Sequence, residues 1–254
     1  MDKIKQKMYL NRLSNNLGKV EEQEDKIICY VEPEKIKKYE DKRWYHFVFN
    51  ENKLNKALHI IFDGIEFDSY KNIIIDSCDG ISFKFQNCIF DGQIDIGYAE
   101  SVHLEKNIYY HYTPFTRIDC FFQGNIKNLK IINDCFCMCE LYSAVPHIFN
   151  LNLETLEIKN TNMMLQNCNG EINFRANKID VVNSHIKTNN SIKFMADKLN
   201  LNNSKIESQT EVVIIGKYSG DLKEQLNTPR LNHNGINVTE KILGISKPKQ
   251  LIKK

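Results

Sequence analysis

The sequence predicts an all-β protein, a parallel β-solenoid, and three observations carry that expectation. An apolar-x-apolar pattern recurs seven times between residues 57 and 216. Asn returns at one register of the pattern. The chain also has 30 Asn against only 5 Pro and 11 Gly, so something other than the usual turn-formers must turn it.

The repeat is clearest near its end. Ile172-Asn-Phe174-Arg-Ala176-Asn-Lys-Ile179-Asp-Val181-Val-Asn183-Ser-His-Ile186 is followed, 20 residues on, by Ile192-Lys-Phe194-Met-Ala196-Asp-Lys-Leu199-Asn-Leu201-Asn-Asn203-Ser-Lys-Ile206. Further back the same skeleton starts at Ile60, Phe83, Val102, Leu129 and Leu156. Two residues after each of the seven starts stand Phe62, Phe85, Leu104, Ile131, Ile158, Val181 and Leu201. Five further on stand Phe67, Phe90, Tyr109, Phe136, Met163, Ile186 and Ile206. Alternation of this kind is a strand period. Short strands in a unit of about 20 residues stack into a solenoid, because one unit cannot bury its apolar face alone.

Two residues after the second apolar position come Gly64, Asn87, Lys106, Asn133, Asn160, Asn183 and Asn203. Asn tolerates the left-handed backbone region, so it can turn a strand sharply without Gly. Stacked Asn side chains can also hydrogen-bond along a ladder.

The unit SIKFMADKLNLNNSKIES resembles repeats of right-handed parallel β-helices, including pectin-lyase-like enzymes and haemagglutinin-type adhesins, over about residues 57–216. The resemblance implies a right-handed β-helix of about seven coils and brings no catalytic motif with it. A leucine-rich-repeat solenoid is the alternative fold, since Ala196-x-x-Leu199-x-Leu201-x-x-Ser204-x-Ile206 partly fits its skeleton. In that alternative the Asn sits one place early, and the second half of each unit reads as strand rather than helix.

Three regions follow. Residues 1–56 read as an N-terminal cap, with an amphipathic helix over 2–17, strands at Ile27–Val31 and Trp44–Phe49, and Trp44 in the cap core. Residues 57–216 are the repeats. Residues 217–254 lose the repeat and read as a C-terminal cap with a basic tail, a route to nucleic acid or an acidic partner.

Composition narrows function by exclusion. The 34 Lys and Arg nearly balance 32 Asp and Glu, for a net charge of +2. That excludes an acidic DNA mimic and a wholesale polycation. A hydrophobic content of 42 % excludes global disorder. No run approaches the ~18 apolar residues of a membrane span, and the N-terminus lacks a signal-peptide apolar core. The expectation is a cytoplasmic protein with reduced thiols at Cys29, Cys78, Cys88, Cys120, Cys135, Cys137, Cys139 and Cys168.

The units are spaced 23, 19, 27, 27, 23 and 20 residues apart. The two long units are consecutive, so their extra residues should emerge side by side, over 109–126 and 136–153. They carry Tyr110, His111, Tyr112, Phe115, Arg117, Phe122, Tyr142 and His147. Aromatics with Arg and His on loops of a rigid scaffold suit a binding hot spot. The alternative is that they fold back over a widened coil. The outward row of the first strand runs Ile61, Lys84, His103, Lys130, Glu157, Asp180 and Asn200, a mixed solvated face in which His103, Glu105 and Lys130 come nearest to an acid–base group. Cys135, Cys137 and Cys139 share one strand face, and with Cys120 or His147 they are a zinc candidate, but their spacing lacks the usual two-to-four-residue separation of ligands. No catalytic residue, metal or cofactor is therefore assigned.

The expected function is a non-enzymatic binding or inhibitor protein. Tyr110, His111, Tyr112, Phe115, Arg117, Tyr142 and His147 would engage a macromolecular partner, a protein by preference. Inhibitors, immunity proteins and mobile-element counter-defence proteins fit this size and compartment. Alternatives are a carbohydrate-active β-helix lyase or hydrolase, and a self-assembling structural module.

Overall fold

The computed structural model describes residues 3–42, 44–49, 56–68, 71–90, 92–109, 120–137, 147–165 and 172–245. The chain opens with helix α1 (Lys3–Asn16) and an antiparallel pair, β1 (Val20–Glu22) and β2 (Lys26–Val31). A short helix α2 (Pro33–Ile36) and a 3-10 turn (Lys37–Tyr39) lead to β3 (Trp44–Phe49). The repeats supply β4 (Ala57–Asp63), β5 (Asn72–Ser77), β6 (Ile81–Gln86), β7 (Ile89–Phe90), β8 (Ile94–Glu105), β9 (Ile108–Tyr109), β10 (Cys120–Ile132) and β11 (Cys135–Cys137). They continue as β12 (His147–Lys159), β13 (Asn162–Leu165), β14 (Ile172–Val182), β15 (His185–Thr188), β16 (Ile192–Asn200), β17 (Lys205–Ser208) and β18 (Val212–Ser219). The end is α3 (Leu222–Gln225), β19 (Leu226–Asn227), β20 (Leu231–His233), β21 (Ile236–Asn237) and α4 (Thr239–Leu243).

These strands form a β-solenoid of about six turns. One sheet runs β1-β2-β4-β6-β8-β10-β12-β14-β16-β18-β20-β21, with β3 and β5 joining it through β8. The second runs β7-β9-β11-β13-β15-β17-β19. Within the repeats all neighbours are parallel; the antiparallel pairs are β1–β2 and β20–β21, one at each end. Strand rather than helix fills the second half of each unit, and helix makes up only 15 % of the molecule. That disposes of the leucine-rich-repeat alternative.

The anatomy of a coil follows from its alternation. In β14, Ile172, Phe174 and Ala176 are buried, Asn177 and Lys178 are both exposed, and Ile179 and Val181 are buried again. Two consecutive outward residues shift the period by one, and there the strand turns a corner. The second straight segment ends at Asn183, and the chain crosses to β15. Each coil thus has three short straight segments around one core.

The repeat registers are the core. Ile60 pairs with Phe83, Phe83 with Val102, Val102 with Leu129, Leu129 with Leu156, Leu156 with Ile179 and Ile179 with Leu199. Every side chain of the three apolar registers that is described is at most 3 % exposed. Aromatics stack coil on coil: Phe62 on Phe85 at 4.7 Å, Phe67 on Phe90 at 5.4 Å, Phe90 on Tyr109 at 5.3 Å and Phe174 on Phe194 at 5.3 Å between ring centroids. Such pairs add to the area they bury.

The turn register behaves as its composition demands. Gly64, Asn87, Lys106, Asn133, Asn160, Asn183 and Asn203 all have positive φ, between 48° and 64°. An outer ladder joins some of them: Asn160 Nδ2 donates to Asn133 Oδ1 at 3.1 Å, and Asn183 Nδ2 to Asn160 Oδ1 at 3.4 Å. The next residue points inward and forms a second ladder. The backbone N–H of Cys88 donates to Asn107 Oδ1, that of Asn107 to Asp134 Oδ1, that of Asp134 to Thr161 Oγ1, that of Thr161 to Ser184 Oγ and that of Ser184 to Ser204 Oγ, at 2.8–3.4 Å. The chain changes sheet at this point, so the buried N–H has no strand partner, and the polar side chain of the next coil supplies one. Asp134 is also the acceptor for the Tyr109 hydroxyl at 3.0 Å.

The ends are closed differently. In α1, Leu13 and Leu17, the latter just past its end, are buried and Tyr9 and Leu10 pack against the core, while Ile4 and Met8 are 67 % exposed. At the other end Leu222, Leu226 and Leu231 are buried, and Thr239 Oγ1 accepts the Leu231 N–H at 2.8 Å. One expectation is corrected here. Trp44 does not fill the cap core; it is 38 % exposed, because it shares a strand face with His46 and Val48 while Tyr45, Phe47 and Phe49 point inward. The parity of β3 decides which aromatic is buried, not ring size.

Candidate functional site

Two insertions leave the same corner of adjacent coils. They are shorter than the 109–126 and 136–153 that the unit spacing implied: residues 120–126 and 147–153 are already strand, in β10 and β12, which leaves 110–119 between β9 and β10 and 138–146 between β11 and β12, both outside the described residues. Their roots are stacked: Ile108 pairs with Cys135 on one side, and Cys120 pairs with His147 on the other. Neighbouring strands lie ~4.8 Å apart, so the two departures and the two returns are immediate neighbours. Tyr110, His111, Tyr112, Phe115, Arg117 and Tyr142 themselves lie outside the described residues. So do the side chains of Phe122 and of His147, whose backbone opens β12.

The outward row of the second segment is assembled as the repeat implies, with Lys84, His103, Lys130, Glu157, Asp180 and Asn200 in successive register. Its charges are used up in neighbour pairs. Lys84 Nζ is 2.8 Å from Glu105 Oε2, Lys130 Nζ is 3.4 Å from Glu157 Oε2, Lys159 also holds Glu157, and Lys178 Nζ is 2.6 Å from Asp180. The Lys84 hydrogen bond keeps Glu105 below the ordinary carboxylate range. Glu157 is also lowered: burial pushes it up, but Lys159 and Lys130 outweigh that. His103 is half-buried, and its Nε2 lies 3.8 Å from Glu105 Oε2 with no hydrogen-bond partner among the described residues. Burial first, then the charges of Lys84 and Lys130, hold it below its usual value, and so in the neutral form. Among the described residues the row is a charge-paired face, and His103, Glu105 and Lys130 do not line the groove described next.

A groove of about 830 Å³ runs along the first corner of the coils, from Tyr98 to Gly216. One wall is a ladder in which Arg175 pairs with Met195 and Met195 with Ile215. The other wall carries Asn177 and Asp197, and the small Ala176 and Ala196 between the walls leave the space. At the far end Lys127 pairs with Glu100 at 2.8 Å and lies 5.7 Å from the Tyr98 ring. Gly216 is demanded by close approach: at φ 114°, a Cβ there would come within 1.7 Å of the Ala196 carbonyl oxygen. The sequence reading missed this groove. Its signal was present in the paired outward residues Asn177-Lys178 and Asp197-Lys198 that follow a small inward Ala.

The thiols divide. Cys29 and Cys88 are buried, and burial pushes both up to about 12. Cys135 and Cys137 form the ends of β11, and Cys139 lies outside the described residues. Among the described residues no group of three or more His, Cys, Asp or Glu is placed to hold a metal ion. No described helix is long and apolar enough to cross a membrane. No family model matches the chain, and neither a curated protein nor a solved structure matches it.

Proposed function

We propose that this chain is a non-enzymatic binding protein, a rigid solenoid that grips a macromolecular partner, a protein, through the segments 109–126 and 136–153, of which 110–119 and 138–146 lie outside the described residues. The observation that supports this is the stacking of the two insertion roots, Ile108 on Cys135 and Cys120 on His147. Loops set side by side on a rigid sheet can present one surface rather than two, and of Tyr110, His111, Tyr112, Phe115, Arg117, Tyr142 and His147 the tyrosines and the arginine are types enriched in binding hot spots. A carbohydrate-active reading would need acid and base groups converging on a groove. Here Glu105 and Glu157 are committed to lysines on a charge-paired face.

The test is a chain in which both insertions are replaced by short Gly-Asn links. It keeps the melting temperature of the intact chain, and it no longer retains the partner that the intact chain captures from its host and that mass spectrometry identifies. Equal capture by the shortened chain refutes the reading.

A further inference from the structure

The C-terminal half of the groove is lined by one ladder and flanked by a second of different chemistry. On one wall Arg175, Met195 and Ile215 stand in register, with Ile215 42 % exposed. Just outside the groove's lining, one residue past its Asn177, Asp197 and Gly216, Lys178, Lys198 and Lys217 stand in register. Lys178 is held by Asp180 at 2.6 Å, but Lys198 and Lys217 have no ion-pair partner among the described residues, and both are exposed. Like charges stacked at ~4.8 Å repel, so the ladder gains most from an anionic occupant.

We infer that this groove docks an extended acidic–apolar peptide segment of the protein partner. In an extended chain, successive side chains point to opposite sides, and alternate ones lie ~6.8 Å apart. A segment alternating acid and apolar residues therefore turns its carboxylates to Lys198 and Lys217 and its apolar side chains to Met195 and Ile215. The flexible lysine stems absorb the difference between ~6.8 Å and the ~4.8 Å coil spacing. Asp197, in the wall between, is placed to accept backbone N–H groups. The same Asp197, with Glu154 further along the groove, disfavours a nucleic-acid backbone, and the one ring that lines the groove among the described residues, Tyr98, is at the opposite end beside Lys127.

This deepens the binding reading above, because it names the chemistry of part of the partner. The experiment is fluorescence anisotropy of the full chain with a labelled alternating Asp-Leu decapeptide, beside alternating Asp-Ser and Lys-Leu decapeptides and single-stranded oligo-dT. The Asp-Leu peptide binds most tightly and weakens as salt rises. The double variant Lys198→Glu/Lys217→Glu binds it at least about tenfold more weakly, and Ile215→Ser a few-fold more weakly, with melting temperatures unchanged. Absence of Asp-Leu binding by the intact chain, equal binding by the double variant, or tighter binding of oligo-dT than of the peptide each overturns the inference. The chain with both insertions shortened still binds the peptide, so failure of the groove and failure of the insertion surface are told apart.

Discussion

The backbone N–H of Thr161 donates to Ser184 Oγ at 3.1 Å, from one coil to the next, inside the core. Ser184 in turn donates to the Val182 carbonyl oxygen at 2.8 Å. One hydroxyl therefore serves a buried donor of the preceding coil and an acceptor of its own. Ser184→Ala leaves the Thr161 N–H unpaired in the core and is expected to cost about 1–3 kcal/mol, read from urea unfolding. A loss near zero would mean that water reaches the ladder.

The turn register separates Asn from other residues. Asn183 sits at φ 50°. Asn183→Ala is expected to lose about 1–2 kcal/mol, and Asn183→Gly distinctly less, because only the former carries a Cβ into the left-handed region without a compensating side chain. Equal losses would assign the residue's value to its amide ladder instead.

Gly64 occupies the same register with nothing within 4 Å of an added Cβ. Gly64→Asn should leave the melting temperature unchanged or raise it. Gly216→Ala should lower it clearly, since the Ala196 carbonyl blocks the new methyl.

His103 and His59 are both held below the ordinary histidine value, first by burial and next by a nearby lysine. The unfolded chain then binds more protons than the folded one as pH falls below about 6.5. The stability these groups contribute is present above that value and is lost as pH falls through the folded-state pKa. A His103→Gln/His59→Gln variant should lose less melting temperature between about pH 7 and pH 5 than the parent does. A parallel loss in both would remove these histidines as the cause.

Cys29 and Cys88, with thiols at about 12, should resist iodoacetamide at neutral pH in the folded chain and react after unfolding, as peptide mapping reads it. Rapid labelling of Cys88 in the folded chain would contradict its burial.

The coils were legible in the sequence because the repeat writes them at fixed registers. Ile179 and Leu199 fall one above the other at a spacing of 20 residues. The Asn turn was equally legible, since few residue types accept its backbone. The inner ladder was not, because Cys88, Asn107, Asp134, Thr161, Ser184 and Ser204 share hydrogen-bonding capacity rather than residue type. Trp44 was misplaced because a single strand of alternating aromatics does not announce which parity faces the core. The groove was missed because it depends on what is small, Ala176 and Ala196, more than on what is chemical. Unit length located where the two insertions leave the coils but not where the chain returns, because residues 120–126 and 147–153 already belong to β10 and β12.

The inner ladder has a direction. In every rung the earlier coil offers its backbone N–H and the later coil brings the side-chain oxygen, from Cys88 through to Ser204. Translation delivers the earlier coil first. A newly emerged coil therefore holds an unsatisfied donor until its successor arrives, and the solenoid closes with a lag of one coil behind the ribosome. Shortening the molecule from its C-terminus strips a side-chain acceptor and exposes a buried backbone donor, whereas shortening it from its N-terminus removes that backbone donor together with the carbonyl to which the side chain of the next coil donates, as the Ile158 carbonyl accepts from Ser184. The two ends of an outwardly repetitive object are thus not equivalent to an advancing chain or to an exopeptidase.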